Sequence, residues 1–151
     1  MSIELFTRVS GRNVVAADTA ETIGSVKAFV LDRSGRNIEA IHIDGHGKRA
    51  MVLPWVSVSS FGTDAVMASS GDAPATIDNN HQKSAVSGDV TMIGTRVLTT
   101  GGVDIGVVAD VEFETESGTV TRVVTGQGPL EADRLRSLGS YALVVEPLVT
   151  E

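Results

Sequence analysis

Residues 105–118 read Ile-Gly-Val-Val-Ala-Asp-Val-Glu-Phe-Glu-Thr-Glu-Ser-Gly. Val107, Ala109, Val111 and Phe113 share one parity, and Asp110, Glu112 and Glu114 share the other. A period of two is that of a β-strand with one buried and one wet face. Ser117-Gly118 then reads as a hairpin turn. The run has a twin 82 positions earlier, where Ile23-Gly24-Ser25-Val26 matches Ile105-Gly106-Val107-Val108. In the twin, Val26, Ala28 and Val30 alternate with Lys27, Phe29 and Leu31, so both faces are largely apolar and the strand is expected to be covered on both sides. Ser34-Gly35 closes it as Ser117-Gly118 closes the other.

The correspondence extends in both directions. Val15 matches Val97 at the same spacing. Val58, Ser60, Phe61, Gly62, Ala65 and Val66 match Leu135, Ser137, Leu138, Gly139, Ala142 and Leu143 at a spacing of 77. The spacing changes only where hairpin loops fall, as expected of two copies of one all-β unit of about sixty residues. Val14–Ala17 and Arg96–Thr99 read as opening strands, and Ile38–Ile43 and Val120–Thr125 as second hairpin arms. Helical periodicity is weak; its best stretch is Glu131–Leu138, where Leu135 and Leu138 fall three apart. Residues 69–89, SSGDAPATIDNNHQKSAVSGD, have the composition of a linker. The chain therefore divides into a repeat at 1–68, a linker at 69–89 and a repeat at 90–151. A unit this small buries only roughly 60% of its unfolded surface. The copies are accordingly expected to pack together about a pseudo-twofold axis.

Composition agrees. Among 151 residues there are 22 valines and six aromatic residues, which favours pleated surfaces with small core side chains. Sixteen glycines imply many turns. Cysteine is absent, which excludes disulfides, thiol nucleophiles and cysteine-ligated clusters. The net charge is −7, with the surplus in the linker and the second repeat, so direct nucleic-acid binding is not expected. No signal-peptide core and no apolar run long enough for a membrane span is present, and a cytoplasmic location without membrane insertion is the expectation.

Candidate chemistry is sparse. His42-Ile43-Asp44-Gly45-His46 would place three metal ligands on one strand face, but Asp44-Gly45 also reads as a turn that would scatter them. His81 lies in the linker. No Gly-x-Ser-x-Gly elbow occurs. Gly126-Gln127-Gly128-Pro129 is too short for a phosphate loop and carries a proline where a donor would be needed. No catalytic residue and no cofactor is therefore expected. Trp55, after Pro54, suits a core or an interface. Asp110, Glu112, Glu114 and Glu116 form a one-signed stripe that could steer a basic partner. Gly24 and Gly106 open the two long strands, where a coiled sheet needs backbone freedom. Gly62 and Gly139 fit tight turns.

Arg12-x-Val14-Val15, Ile23-Gly24-x-Val26, Asp32-x-x-x-Arg36, Leu53-Pro54-Trp55-x-x-Val58 and Gly62-x-x-Ala65-Val66 together resemble a PRC-barrel domain. The second copy keeps Val97, Ile105-Gly106-x-Val108-x-Asp110, Leu135, Gly139 and Leu143, with Glu131-Ala132-Asp133 in place of the Pro-Trp pair. The resemblance implies a small, twisted β-barrel, similar to the cytoplasmic domain of the photosynthetic reaction-centre H subunit and to the C-terminal domain of a ribosome maturation factor. It carries no catalytic set. It implies a non-catalytic protein–protein interaction or assembly module, with an unspecified protein partner or a homodimer through the same surfaces. Its alternatives are an accessory role in a membrane or ribosome-maturation complex, and a small metal- or ligand-binding protein using His42, Asp44 and His46.

Overall fold

The computed structural model describes residues 2–44, 51–76, 80–88 and 90–148. A short strand β1 (Ile3–Leu5) leads into a single helical turn α1 (Phe6–Val9). Then come β2 (Asn13–Ala16), β3 (Thr22–Leu31), β4 (Ile38–Asp44), β5 (Met51–Pro54), β6 (Val58–Phe61), β7 (Ala65–Ala68) and β8 (Ala75–Thr76). Helix α2 (Asn80–Ser87) separates these from β9 (Arg96–Thr99), β10 (Asp104–Glu114), β11 (Val120–Thr125), β12 (Gly128–Glu131), β13 (Leu135–Leu138) and β14 (Leu143–Val145). The protein is mostly β with little helix, in two sheets.

The sheets repeat one wiring. The first runs β6-β7-β2-β3-β4-β5-β8 and the second β12-β11-β10-β9-β14-β13. In each, the opening strand is antiparallel to the long strand and parallel to the last one, β2 with β7 and β9 with β14. Even the irregularities match. The long strands bulge between Val26 and Ala28 and between Val108 and Asp110. The penultimate strands bulge between Val58 and Ser60 and between Leu135 and Ser137.

These bulges account for two departures from the sequence pattern. A bulge inserts one residue and swaps the parity beyond it. Val108, not Val107 or Ala109, is buried in β10, while Val111 and Phe113 keep their core positions. The leucines at 135 and 138 are both buried on a strand rather than a helix, because the bulge between them stretches a two-residue period to three. The best helical candidate, Glu131–Leu138, is instead β12's last residue, a 3-10 turn at Ala132–Arg134 and β13.

Two segments cross the boundaries expected from the repeat. β1 lies in the first repeat by sequence but pairs antiparallel with β10 of the second sheet, Ile3 opposite Glu114 and Leu5 opposite Glu112. The linker stretch holds β8, paired with β5, and α2, whose Ala85 and Val86 cover an apolar patch of Val30, Ala40 and Val52 on the outer face of the first sheet. That patch is why both faces of the Val26–Leu31 strand are apolar.

The main core draws on both sheets. All four phenylalanines and the tryptophan meet in it. Phe6 stacks on Phe29 at 4.1 Å between ring centroids. Phe113 of β10 touches Phe6, Phe29 and Phe61 at 5.4–5.5 Å and Trp55 at 6.4 Å. These rings join the two sheets into one apolar interior, as the size of a single unit requires.

Candidate functional site

The β3–β4 and β10–β11 hairpin tips meet face to face. The Ile38 N–H donates to the Gly118 carbonyl at 2.8 Å and the Val120 N–H to the Arg36 carbonyl at 2.7 Å, around an antiparallel bridge of Asn37 with Thr119. Each partner in this exchange lies 82 positions from its equivalent, so the contact is reciprocal in the manner of a twofold interface. The tips are shaped for it. The Asp32 carboxylate accepts from the Ser34 hydroxyl at 2.7 Å, the Arg36 N–H at 3.1 Å and the Asn37 side-chain amide at 2.9 Å. Burial alone would raise this carboxyl, but these hydrogen bonds outweigh it and hold the group below its ordinary 3.8. Arg36 reaches across to the carbonyls of Leu135 and Asp133. Arg12 ties β1 to the β6–β7 turn through Glu4 at 3.0 Å and the Gly62 carbonyl at 2.8 Å.

Trp55 belongs to this junction. Its indole lies on Gly118, where an added Cβ would stand 2.7 Å from the ring at a φ of +73°. Gly35, at the other hairpin tip, has a φ of +78°, and a Cβ there would stand 3.4 Å from Leu143 of the second sheet. Only glycine meets both demands at Gly118. Of the glycines singled out by sequence, Gly24 is packed so closely that a side chain would strike the Asp44 carbonyl and Ile43. Gly106 has space but a φ of +123°, so its requirement is conformational. Gly62 and Gly139 donate to Ala65 and Ala142 in equivalent tight turns.

The acidic stripe is engaged within the chain. Asp110 accepts from the Thr7 backbone and hydroxyl at 3.1 and 2.5 Å, and Glu112 from the Thr121 hydroxyl at 2.9 Å. Glu112 and Glu114 are half-buried because β1 lies along that edge of β10. The alternation of charge was readable, but the strand that covers it comes from more than a hundred residues away.

His42 is buried on the outer face of β4, opposite Ala28 and Val52, with Asp44 exposed two residues on. His46 and Gly45 lie outside the described residues. Burial, then the nearby Lys27 ammonium, hold the imidazole below its ordinary 6.5, and Asp44 offsets part of this. Among the described residues no three His, Asp or Glu side chains converge on a metal position.

Two surface features escaped the sequence pattern. On β9 and β10, Arg96 lies opposite Val107, and its guanidinium sits 4.7 Å over the ring of Tyr141 while donating to the tyrosine hydroxyl at 2.8 Å. Tyr141 is 68% and Val107 50% exposed. The other is a cavity of about 270 Å³ between α1, β3 and residues 91–93, with Phe6, Phe29 and Met92 beneath and Lys27 and Thr91 at its edge. Neither has a local signature, since each is assembled from segments far apart in the chain.

Among the described residues no helix is long and apolar enough to cross a membrane. No curated protein matches the chain. Residues 1–73 match the family model of the PRC-barrel domain, and this, with the β-rich wiring above, supports the PRC-barrel family for the N-terminal part of the chain.

Proposed function

We propose that the chain is a tandem PRC-barrel protein, with residues 90–151 as the second copy, acting as a non-catalytic assembly module in the cytoplasm. What supports the tandem reading is the shared wiring, the four matched bulges and the reciprocal hairpin contact. The residues that carry the family resemblance are occupied in building the frame: Arg12 anchors β1, Asp32 sets a tip, Trp55 fills the junction. The observation that carries the interaction role is the exposed trio of Val107, Arg96 and Tyr141. A rigid aromatic ring with a cation on its face and an aliphatic neighbour is the type of anchor that dominates protein interfaces. The partner reads this face of the second sheet, and catalysis has no part in it.

A photo-crosslinking residue at position 107, used in the native cells, tests this. The expected result is one discrete adduct to another protein, lost when Tyr141→Ser and Arg96→Ala are added. A membrane-complex subunit or a ribosomal protein in the adduct would specify the setting. No adduct, or one indifferent to those substitutions, overturns the reading.

A further inference from the structure

At one pair of equivalent positions the two units differ in a side chain that borders a cavity. Ala28 and Asp110 each follow the same bulge in their long strands. In the second unit the Asp110 carboxylate fills the space toward α1, accepting from the Thr7 N–H and hydroxyl at 3.1 and 2.5 Å. In the first unit the matching side chain is a methyl group. The segment equivalent to α1 there includes residues 90–92, with Val90 matching Thr7: Gly11 and Gly94 donate to the Val26 and Val108 carbonyls at 2.7 and 2.8 Å, and Arg12 and Thr95 donate to Val9 and Met92. The 270 Å³ cavity lies between Ala28, residues 91–93 and α1 itself, whose Phe6 and Thr7 line it together with Ser10.

Its chemistry is that of an amphipathic anion site. Phe6, Phe29, Met92 and the Ala28 methyl make an apolar floor. Lys27 and Thr91 stand at the edge, and neither side chain is committed to a hydrogen bond or ion pair among the described residues. Their ammonium and hydroxyl are the donors a carboxylate takes.

We infer that this cavity binds a small monocarboxylate with a compact apolar tail. The carboxylate is held by Lys27 and Thr91 beside the Ala28 methyl, and the tail lies on Phe6, Phe29 and Met92. At about 30 Å³ per water in the liquid, the space holds roughly nine waters, which suits an arylacetate of about ten non-hydrogen atoms.

Phenylacetate and the neutral 2-phenylethanol, titrated into the full chain and followed by amide NMR, test the inference. Phenylacetate is expected to bind with a Kd on the order of 1 mM, shifting amides at 27–29 and 91–93. The alcohol is expected to bind at least about tenfold more weakly, and Lys27→Met to weaken phenylacetate by a similar factor. Ala28→Asp, which supplies the carboxylate from the chain itself, is expected to abolish binding. Lys27 is exposed, so the methionine variant keeps the test decisive if Ala28→Asp does not fold. Equal affinity for the two probes, an unchanged Kd in Lys27→Met, or shifts confined to other residues would overturn the proposal.

Discussion

Gly118→Ala is the most incisive perturbation of the junction. Two costs combine at this position. At a φ of +73° an alanine Cβ crowds its own backbone, which costs about 1–2 kcal/mol. The same Cβ would stand 2.7, 3.0 and 3.1 Å from three carbons of the Trp55 indole. That ring is wedged against Phe61 and Phe113 and yields only by repacking, an overpacking cost of about 1–3 kcal/mol. The expected loss is about 2–5 kcal/mol in all. Gly102→Ala isolates the first component, since Gly102 has a φ of +81° and nothing within 4 Å. It should cost only the backbone part, about 1–2 kcal/mol. Urea unfolding followed by far-UV circular dichroism measures both, and it also serves variants that lack Trp55, the chain's single tryptophan. With a slope of about 1–3 kcal/mol per molar urea, the difference between the variants is about 1 M in midpoint. Trp55→Leu in the Gly118→Ala background should recover the packing part, giving a coupling of about 1–3 kcal/mol in the double-mutant cycle. Equal losses at 102 and 118, or additive effects of Gly118→Ala and Trp55→Leu, would refute the claim that the tip is seated on the indole.

Further outcomes follow from the same geometry. Phe113→Ala, which removes the ring shared by both sheets, is expected to cost about 3–5 kcal/mol and to keep one unfolding transition rather than two, as calorimetry would show. Because the folded state holds His42 below 6.5, the unfolded chain binds that proton more readily; stability from this group is full above pH 6.5 and declines as pH falls through that value. His42→Leu should flatten that slope between pH 7.5 and 5.5 in urea titrations. Asp32 acts in a separate window: its contribution is present above 3.8 and is lost as pH falls below it, a further acid loss that Asp32→Asn should remove. Val56→Ser, at a side chain 93% exposed, should stay within about 0.5 kcal/mol of the parent by the same assay.

The strands were legible because most carry a period of two, and the repeat was legible because paired glycines and valines recur at fixed spacing. What the pattern hid was non-local. The bulges at Val108 and Leu135 shift parity by one residue without altering composition, so Val107 reads as core and the leucine spacing makes Glu131–Leu138 the best helical candidate. The entry of β1 into the second sheet depends on an edge of β10 that β9 leaves open after Val107, which no nearby residue announces. That same entry converts the acidic stripe from a free face into an engaged one. The helix in the linker has a mean composition too polar to stand out, and only Ala85 and Val86 tie it to the sheet. Trp55, after Pro54, reads as a core or interface residue and lies in the shared core, while Arg96 and Tyr141, 45 positions apart, give no sign of meeting.

Hydrogen exchange at the Ile38 and Val120 amides most directly tests whether the two sheets form one body. These two protons make the reciprocal bonds between the hairpin tips. They should exchange as slowly as the Ile41 and Val123 amides inside β4 and β11, through opening of the whole molecule. Exchange at loop rates, with the interior strands still protected, would mean that the units touch without being joined.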